Sequence, residues 1–352
     1  MKVKSYLKEY EVEFCRDFGF DTAIGSLENK FFVIDKRVYE LYREKVEKLI
    51  SGSPCYLLEA IETNKNIEKV LEIIDKIVEL KSKRNTNLIS IGGGIVQDIS
   101  GFIANIIYRG IAWIWIPTTL LAQADSCIGS KTSLNYKTYK NLLGYFYPPD
   151  KIYIDTGFTH TLEQKDYLSG LGEIMKCALM GGYQSFTETS NNIEDLLLRK
   201  QDTLVAEIIK ALEFKKKVIE IDEFDKEYRN IMNYGHTFGH ALESTSNYAI
   251  PHGQAVSFGI MIANEISEAR GYISEQCKKQ VKQRITAIVN RELLKPEYFN
   301  PREYLGVLKK DKKYTGGTHN CILWSEDGVK KYTDVMDEEI ICACRKVLVD
   351  ND

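Results

Sequence analysis

At 352 residues, with 44% hydrophobic and 28% charged content, the chain is long enough for two domains with a substantial core in each, and it carries no low-complexity tract. Lysine plus arginine (47) nearly balances aspartate plus glutamate (50), so no global basic field points to nucleic acid or to an anionic membrane surface, and small partners are favoured. The eight cysteines form no CxxC pair and the opening MKVKSYLKEYEVEF has no apolar signal core, which predicts a reducing, cytoplasmic setting.

Along the chain, FFVID (31–35) reads as a strand, VYELYREKVEKLI (38–50) as a helix and CYLLEAI (55–61) as a strand. IEKVLEIIDKIVEL (67–80) follows as a helix, and LISI (88–91) as a strand running into glycines. This alternation predicts a Rossmann-like parallel sheet with a nucleotide-sized crevice at the carboxyl ends of its strands. The most apolar stretch, 101–121, is interrupted by Arg109 and Pro117 and reads as buried helix and strand rather than a membrane span. Beyond about Thr161 helical patterns take over, and VAEIIKALEF places Val205, Ile208, Ile209 and Leu212 on one stripe. Near the end, CILWSE (321–326) and VKKYTDV (329–335) read as a hairpin around Asp327-Gly328. The expected architecture is α/β plus α: a Rossmann-like parallel-sheet domain over 1–158, then a mainly helical domain over 159–352.

The residues that carry chemistry begin with Gly92-Gly93-Gly94 and Asp98, directly after LISI. Glycines at a strand-to-helix turn allow backbone N–H groups to approach a pyrophosphate, although three glycines also suit a plain tight turn. Asp35, ending the first strand, suits either a ribose hydroxyl or a helix cap, while Glu62 and Lys65 follow the second strand. Three of only five histidines (His236, His240, His252) lie in NYGHTFGHALESTSNYAIPHGQAV, with His236 and His240 at i, i+4 on one helix face, which points to metal or acid/base chemistry. A catalytic zinc site often adds a carboxylate to two histidines. Glu173, in the apolar and glycine-flanked SGLGEIMK with Lys176 one turn on, is the best candidate. In the run Lys215-Lys216-Lys217, the apolar stripe continues to Ile219, so Lys215 or Lys216 must point inward or snorkel. With Lys131, Lys140, Arg229 and the pair Lys312-Lys313, the chain holds enough isolated cationic groups to clamp a carboxylate and a phosphate.

Six ordered blocks, GGGIVQDISGF, RGIAWIWIPTTLLAQADSCIGSKTSLN, KNLLGYFYPP, GEIMK, RNIMNYGHTFGHALE and PHGQAV, resemble the 3-dehydroquinate synthase family of sugar-phosphate cyclases over roughly residues 30–315. The resemblance implies bound NAD, one divalent metal (usually zinc, with cobalt the alternative), a small anionic sugar-phosphate substrate and a homodimer. It matches Glu173, His236 and His252 to the metal ligands. It matches Asp125, Lys131, Asn141, Lys176, Lys215, Arg229, Asn233, His240 and one of Lys312 or Lys313 to substrate and catalytic positions, and Arg109 to an arginine that reaches the neighbouring subunit's site. For NAD it selects Asp35, Glu62, Lys65, Gly93, Gly94, Asp98, Thr118, Thr119, Lys140, Thr161, Leu162 and Asp166. His240 thereby becomes a catalytic group, where spacing alone pairs it with His236 as a ligand. The implied reaction oxidises a ring hydroxyl, eliminates phosphate, returns the hydride, opens the ring and closes a carbocycle by an aldol step, with NAD regenerated in each turnover.

The chain departs from the family pattern around Lys131. SCIGSKTSLN stands for the usual SSIGGKTGIN, with Cys127 for serine and Ser130 and Ser133 for glycines. Glu163, Lys165 and Asp166 replace the usual proline, arginine and glutamate, and Gly172 replaces an alanine. The alternatives are cyclases making 2-deoxy-scyllo-inosose or valiolone-type products, and an iron-type NAD-dependent alcohol dehydrogenase, which would show net NADH formation.

Overall fold

The computed structural model describes residues 1–81, 83–137, 139–310, 314–315, 317–325 and 327–349. The chain folds into two compact units, Met1–Leu162 with Lys215–Phe224, and Glu163–Phe214 with Asp225–Asp352. The sequence reading divides the chain once, after residue 158; here the first stretch ends at Leu162, and Lys215–Phe224, expected in the helical domain, packs in the first unit. Side chains explain that placement. Lys215 reaches Asp125, Glu223 accepts a hydrogen bond from Ser130 Oγ, and the Phe224 ring packs edge-on against Phe146.

The first unit is built on a seven-stranded sheet in the order β1-β2-β9-β6-β5-β3-β4. The strands are β1 (Lys2–Val3), β2 (Tyr10–Cys15), β3 (Lys30–Asp35), β4 (Cys55–Leu58), β5 (Asn87–Gly92), β6 (Trp113–Pro117) and β9 (Lys151–Asp155). All neighbours pair in parallel except the short antiparallel β1. Helices cover such a sheet, so its strands are apolar on both faces: Phe31 to Ile34 in β3 and Leu88 to Ile91 in β5 are all buried. One face carries a core of Phe18, Phe20, Phe32, Ile34, Ile89, Ile91 and Phe158. A separate antiparallel pair, β7 (Lys131–Tyr136) and β8 (Tyr139–Phe146), follows β6 in sequence.

The predicted βαβ pattern is present with two local corrections. The helix expected over 38–50 is two, Lys36–Leu41 and Arg43–Ile50, broken at Tyr42 (φ −120°), whose ring packs with Phe18 and Phe158. The strand expected over 55–61 stops at Leu58, and Ile61 is exposed.

The second unit is mainly helical. Helices Gln164–Met180, His236–Thr245 and His252–Ala269 form its centre, with Glu275–Thr286, Pro301–Lys310 and Asp337–Cys344 also present. A three-stranded antiparallel sheet accompanies them, β10 (Tyr314–Thr315), β11 (Thr318–Ser325) and β12 (Gly328–Val335), whose β11–β12 hairpin is the one read from sequence. The long helix Gln201–Ile221, whose residues from Lys215 onward belong to the first unit, buries Leu204, Ile208, Ala211, Leu212, Val218 and Ile219, so the stripe is rotated slightly from the expected one and Val205 and Ile209 lie at its margin. Among the described residues, no helix is long and apolar enough to cross a membrane.

Candidate active site

In the first unit the strand order reverses between β3 and β5: the chain passes outward from β3 to β4, then returns to β5 on the opposite side of β3. Ligands of open α/β sheets bind outside the carboxyl ends of strands at such a switch point. Asp35 ends β3 there, and Gly92-Gly93-Gly94 follow β5. Helix Gly94–Ile106 begins on Gly93 with no side-chain cap, and a side chain added at Gly94 would meet nothing within 4 Å. An uncapped helix start with open space beside its first residue fits a pyrophosphate. A Cβ at Gly93 would lie 2.9 Å from Thr119 Cγ2, so glycine is needed for the turn to pass beside the Thr118-Thr119 loop. The same loop is tied to the turn by Thr118 N–H donating to Gly92 O at 3.1 Å. Asp35 also serves as a cap, its Oδ1 accepting from Arg37 N–H at 2.9 Å, so both of its readings remain compatible with its place.

Around this turn lies a polar network. Lys65 pairs with Asp98 and donates to Asn141 Oδ1 at 2.6 Å, while Asp98 Oδ1 accepts from Ser133 N–H at 2.9 Å. Burial raises the Asp98 carboxyl above its usual range, with the Lys65 charge opposing that rise. Glu62 accepts from Asn135 Nδ2 at 2.8 Å and faces Lys140 Nζ at 3.6 Å. Thr161 Oγ1 lies 2.9 Å from Tyr42 OH, and Leu162 ends the first stretch of this unit. Asp166 instead belongs to the second unit, in the first turn of helix Gln164–Met180.

The first unit also holds Asp125, on a π-helical segment Ala122–Ser126, and Lys215 Nζ donates to its backbone O at 2.7 Å and to Oδ1 at 2.9 Å. Lys215 is thus the buried member of the lysine run, whereas Lys216 faces Glu220 at 3.9 Å. Lys131 starts β7, and Arg109 is exposed on a segment where both it (φ 65°) and Tyr108 (φ 50°) are left-handed.

In the second unit, Glu173 is buried on helix Gln164–Met180. Its Oε1 lies 3.5 Å from His252 Nε2 and 3.8 Å from His236 Nε2, and Lys176 Nζ approaches Oε2 to 2.5 Å. Neither carboxylate oxygen has a hydrogen bond of proper geometry. Glycines make the approach possible. A Cβ at Gly253 would fall 1.8 Å from Ser169 O, and one at Gly172 would fall 2.3 Å from Gly253 O, so helices Gln164–Met180 and His252–Ala269 touch backbone to backbone.

His236, His240 and His252 bring ring nitrogens within 4.8 Å of one another, so two ligand sets are open: the three histidines, or Glu173 with His236 and His252. The surroundings favour the second. His236 Nδ1 faces Tyr234 O and His252 Nδ1 faces Glu243 Oε1, each at 3.2 Å, which occupies the outer nitrogen and turns Nε2 toward Glu173. His240 is half exposed, its Nε2 4.0 Å from Glu243 Oε2. Bonds of about 2.1 Å in a tetrahedral site set ligand atoms about 3.4 Å apart, close to the separations around Glu173. Burial first, then the Lys176 charge, holds His236 well below its usual pKa and therefore neutral, as a ligand must be. At His252 burial pulls downward, but the Glu243 and Glu173 carboxylates outweigh it and the net shift is upward.

Arg229 is buried and Asn233 Nδ2 donates to Asn230 O at 3.1 Å, both on the segment Tyr228–Asn233 that precedes the histidine helix. Lys312 and Lys313 lie outside the described residues. Sequence reasoning passed over Glu243, although it sits three residues after His240 on the same helix, and over Asn135, whose Oδ1 accepts from Asn141 N–H at 3.0 Å.

Residues 55–169 match the family model of the 3-dehydroquinate synthase N-terminal region, and residues 170–314 that of its C-terminal region. A 3-dehydroquinate synthase of Thermoanaerobacter pseudethanolicus is 34% identical over 348 residues, covering 95% of this chain and 96% of the relative. Among solved structures, 2-deoxy-scyllo-inosose synthase with carbaglucose-6-phosphate, NAD+ and Co2+ superposes with TM-score 0.88 at 22% identity, covering 99% of this chain and 100% of that one. The 2-epi-5-epi-valiolone synthase of Streptomyces hygroscopicus subsp. jinggangensis, with NAD+ and Zn2+, gives 0.86 at 24%, covering 99% of both. At these identities the two structures establish the shared fold.

Proposed function

We infer the chemistry of this site from the premise that the chain belongs to the 3-dehydroquinate synthase family and is a phosphate-eliminating lyase of that type, converting 3-deoxy-arabino-heptulosonate 7-phosphate to 3-dehydroquinate and phosphate. The observation that carries our assignment of the centre is the buried Glu173 carboxylate, without a well-formed hydrogen bond and facing two imidazole Nε2 atoms. Glu173, His236 and His252 would hold a divalent metal, zinc by its suitability for a nitrogen and oxygen donor set, with cobalt the alternative. Asp35, Glu62, Lys65, Gly93, Gly94, Asp98, Thr118, Thr119, Lys140, Thr161, Leu162 and Asp166 would hold NAD. When bound, NAD supplies reversible hydride acceptance and the metal polarises the hydroxyl oxygen being oxidised.

The chain's own residues supply binding and proton handling. Lys131, Asn141, Lys215, Arg229, Asn233 and one of Lys312 or Lys313 meet the carboxylate and phosphate of the substrate, because paired cations with amide donors suit two separated anions. Asp125 fixes Lys215 in place through two hydrogen bonds. Lys176, buried beside Glu173, balances its charge, and the half-exposed His240 is suited to pass a proton to solvent. We take the enzyme to act in the cytoplasm as a homodimer, with Arg109 completing the partner's site.

The test is phosphate release by enzyme supplied with zinc and NAD, comparing the heptulosonate phosphate with glucose 6-phosphate and sedoheptulose 7-phosphate, products identified by mass. Turnover of the first alone, with no net NADH, is expected. Preferred turnover of another sugar phosphate would move the substrate assignment to a different cyclase, and net NADH formation would point to a simple dehydrogenase.

A further inference from the structure

Strand β7 alternates: Thr132 and Leu134 are buried, so Lys131, Ser133 and Asn135 share its other face, with successive members of that row about 6.6 Å apart. Ser133 stands between Lys131 and the polar network of Lys65, Asp98 and Asn141, and its Oγ lies 3.0 Å from Asn141 Oδ1. The direction of that hydrogen bond is fixed by chemistry. An ammonium group only donates, so the atom of Asn141 that faces Lys65 Nζ at 2.6 Å must be its carbonyl oxygen. Ser133 shares that oxygen and therefore donates its single proton to it. Two consequences follow. The Asn141 carboxamide is held in one orientation, its Nδ2 left to serve other partners, and the Ser133 oxygen is left as an acceptor only.

We propose that Ser133 is a specificity-determining residue, accepting a hydrogen bond from a hydroxyl of the sugar-phosphate substrate and holding the Asn141 carboxamide for the same molecule. This rests on the reading that Lys131 and Asn141 touch that substrate. An acceptor at this position disfavours a phosphate or carboxylate oxygen beside it and favours a hydroxyl, which glycine, the residue the family usually has here, does not do.

The experiment compares wild type with Ser133→Ala, Ser133→Gly and Ser133→Thr, using the heptulosonate phosphate and a set of analogues each lacking one hydroxyl. Phosphate release by wild type is the control: its absence would overturn the functional reading and this inference with it. Given that turnover, Ser133→Ala and Ser133→Gly are expected to lower kcat/KM about fivefold, the size of one neutral hydrogen bond, chiefly through KM. Ser133→Thr keeps the hydroxyl and should retain most of the wild-type value. For one deoxy analogue the penalty of Ser133→Ala should shrink to the part that comes from losing the Asn141 contact, because the hydroxyl partner is already missing. Melting temperature and NAD affinity should be unchanged. An equal penalty for every analogue, no penalty at all, or a loss that follows NAD affinity would overturn the inference while leaving the functional reading intact.

Discussion

Glu173 carries a large electrostatic cost for a single side chain of the second unit. A buried carboxylate without well-formed hydrogen bonds is expensive, and Lys176 offsets only part of that cost. The proposed ligand set makes a sharp distinction from its alternative. Glu173→Ala should lose the bound metal and nearly all activity, whereas His240→Ala should keep the metal and lose activity; metal analysis of the purified variants decides, and metal loss in His240→Ala would favour the three-histidine set. Asp35 separates its two roles in the same way. Replacing it by Ala removes the cap and should cost about 1 kcal/mol, while Ser restores a capping oxygen. If Asp35 also holds NAD, both variants should weaken NAD binding in a fluorescence titration, and only the Ala variant should lose stability.

Among the secondary elements, the crossing of helices Gln164–Met180 and His252–Ala269 positions the metal candidates. Gly253→Ala would drive a methyl into Ser169 O, and a fully packed core relieves that only by moving a backbone. We expect a loss of about 3 kcal/mol and weakened metal binding, measured by chemical denaturation and metal titration. At the far end of the second helix, Arg270 donates Nε to Glu339 Oε1 at 2.6 Å and a terminal nitrogen to Glu339 Oε2 at 2.8 Å, a bidentate pair, and contacts Asp334 Oδ1 at 2.9 Å. The Arg270 hydrogen bond lowers the Glu339 carboxyl below its ordinary 4.5. The stabilisation is therefore complete above that value and disappears as the pH falls through the lowered folded-state pKa. Thermal melts below pH 4.5 should show a decline that Glu339→Gln makes shallower, with a lower melting temperature for that variant at pH 7.

For the whole molecule, the assembly is the property to test. If Arg109 completes the partner's site, mixing the inactive Arg109→Ala and Lys215→Ala chains should restore about a quarter of wild-type activity, since half of randomly re-paired dimers would carry one intact site. Light scattering at assay concentration checks that dimers are present. A mixture that stays inactive while dimers form would confine Arg109 to its own subunit.

Local chemistry determined much of this protein from its sequence. Short apolar runs and period-3.6 patterns marked the β-strands and helices, the glycines after β5 marked the turn, and a cluster of three histidines in a chain with five marked the candidate metal region. Those signals lie within a few residues of one another, where spacing alone sets geometry. Tertiary structure decided the rest. It placed Lys215 on Asp125, 90 positions away, and turned Glu243 onto His252. It also set Ser133 against Asn141, and brought two helices together at Gly172 and Gly253 so that Glu173 faces His236 and His252. Such contacts depend on where separate elements pack, and the energy that selects them comes from burial over whole surfaces, which no short stretch of sequence contains.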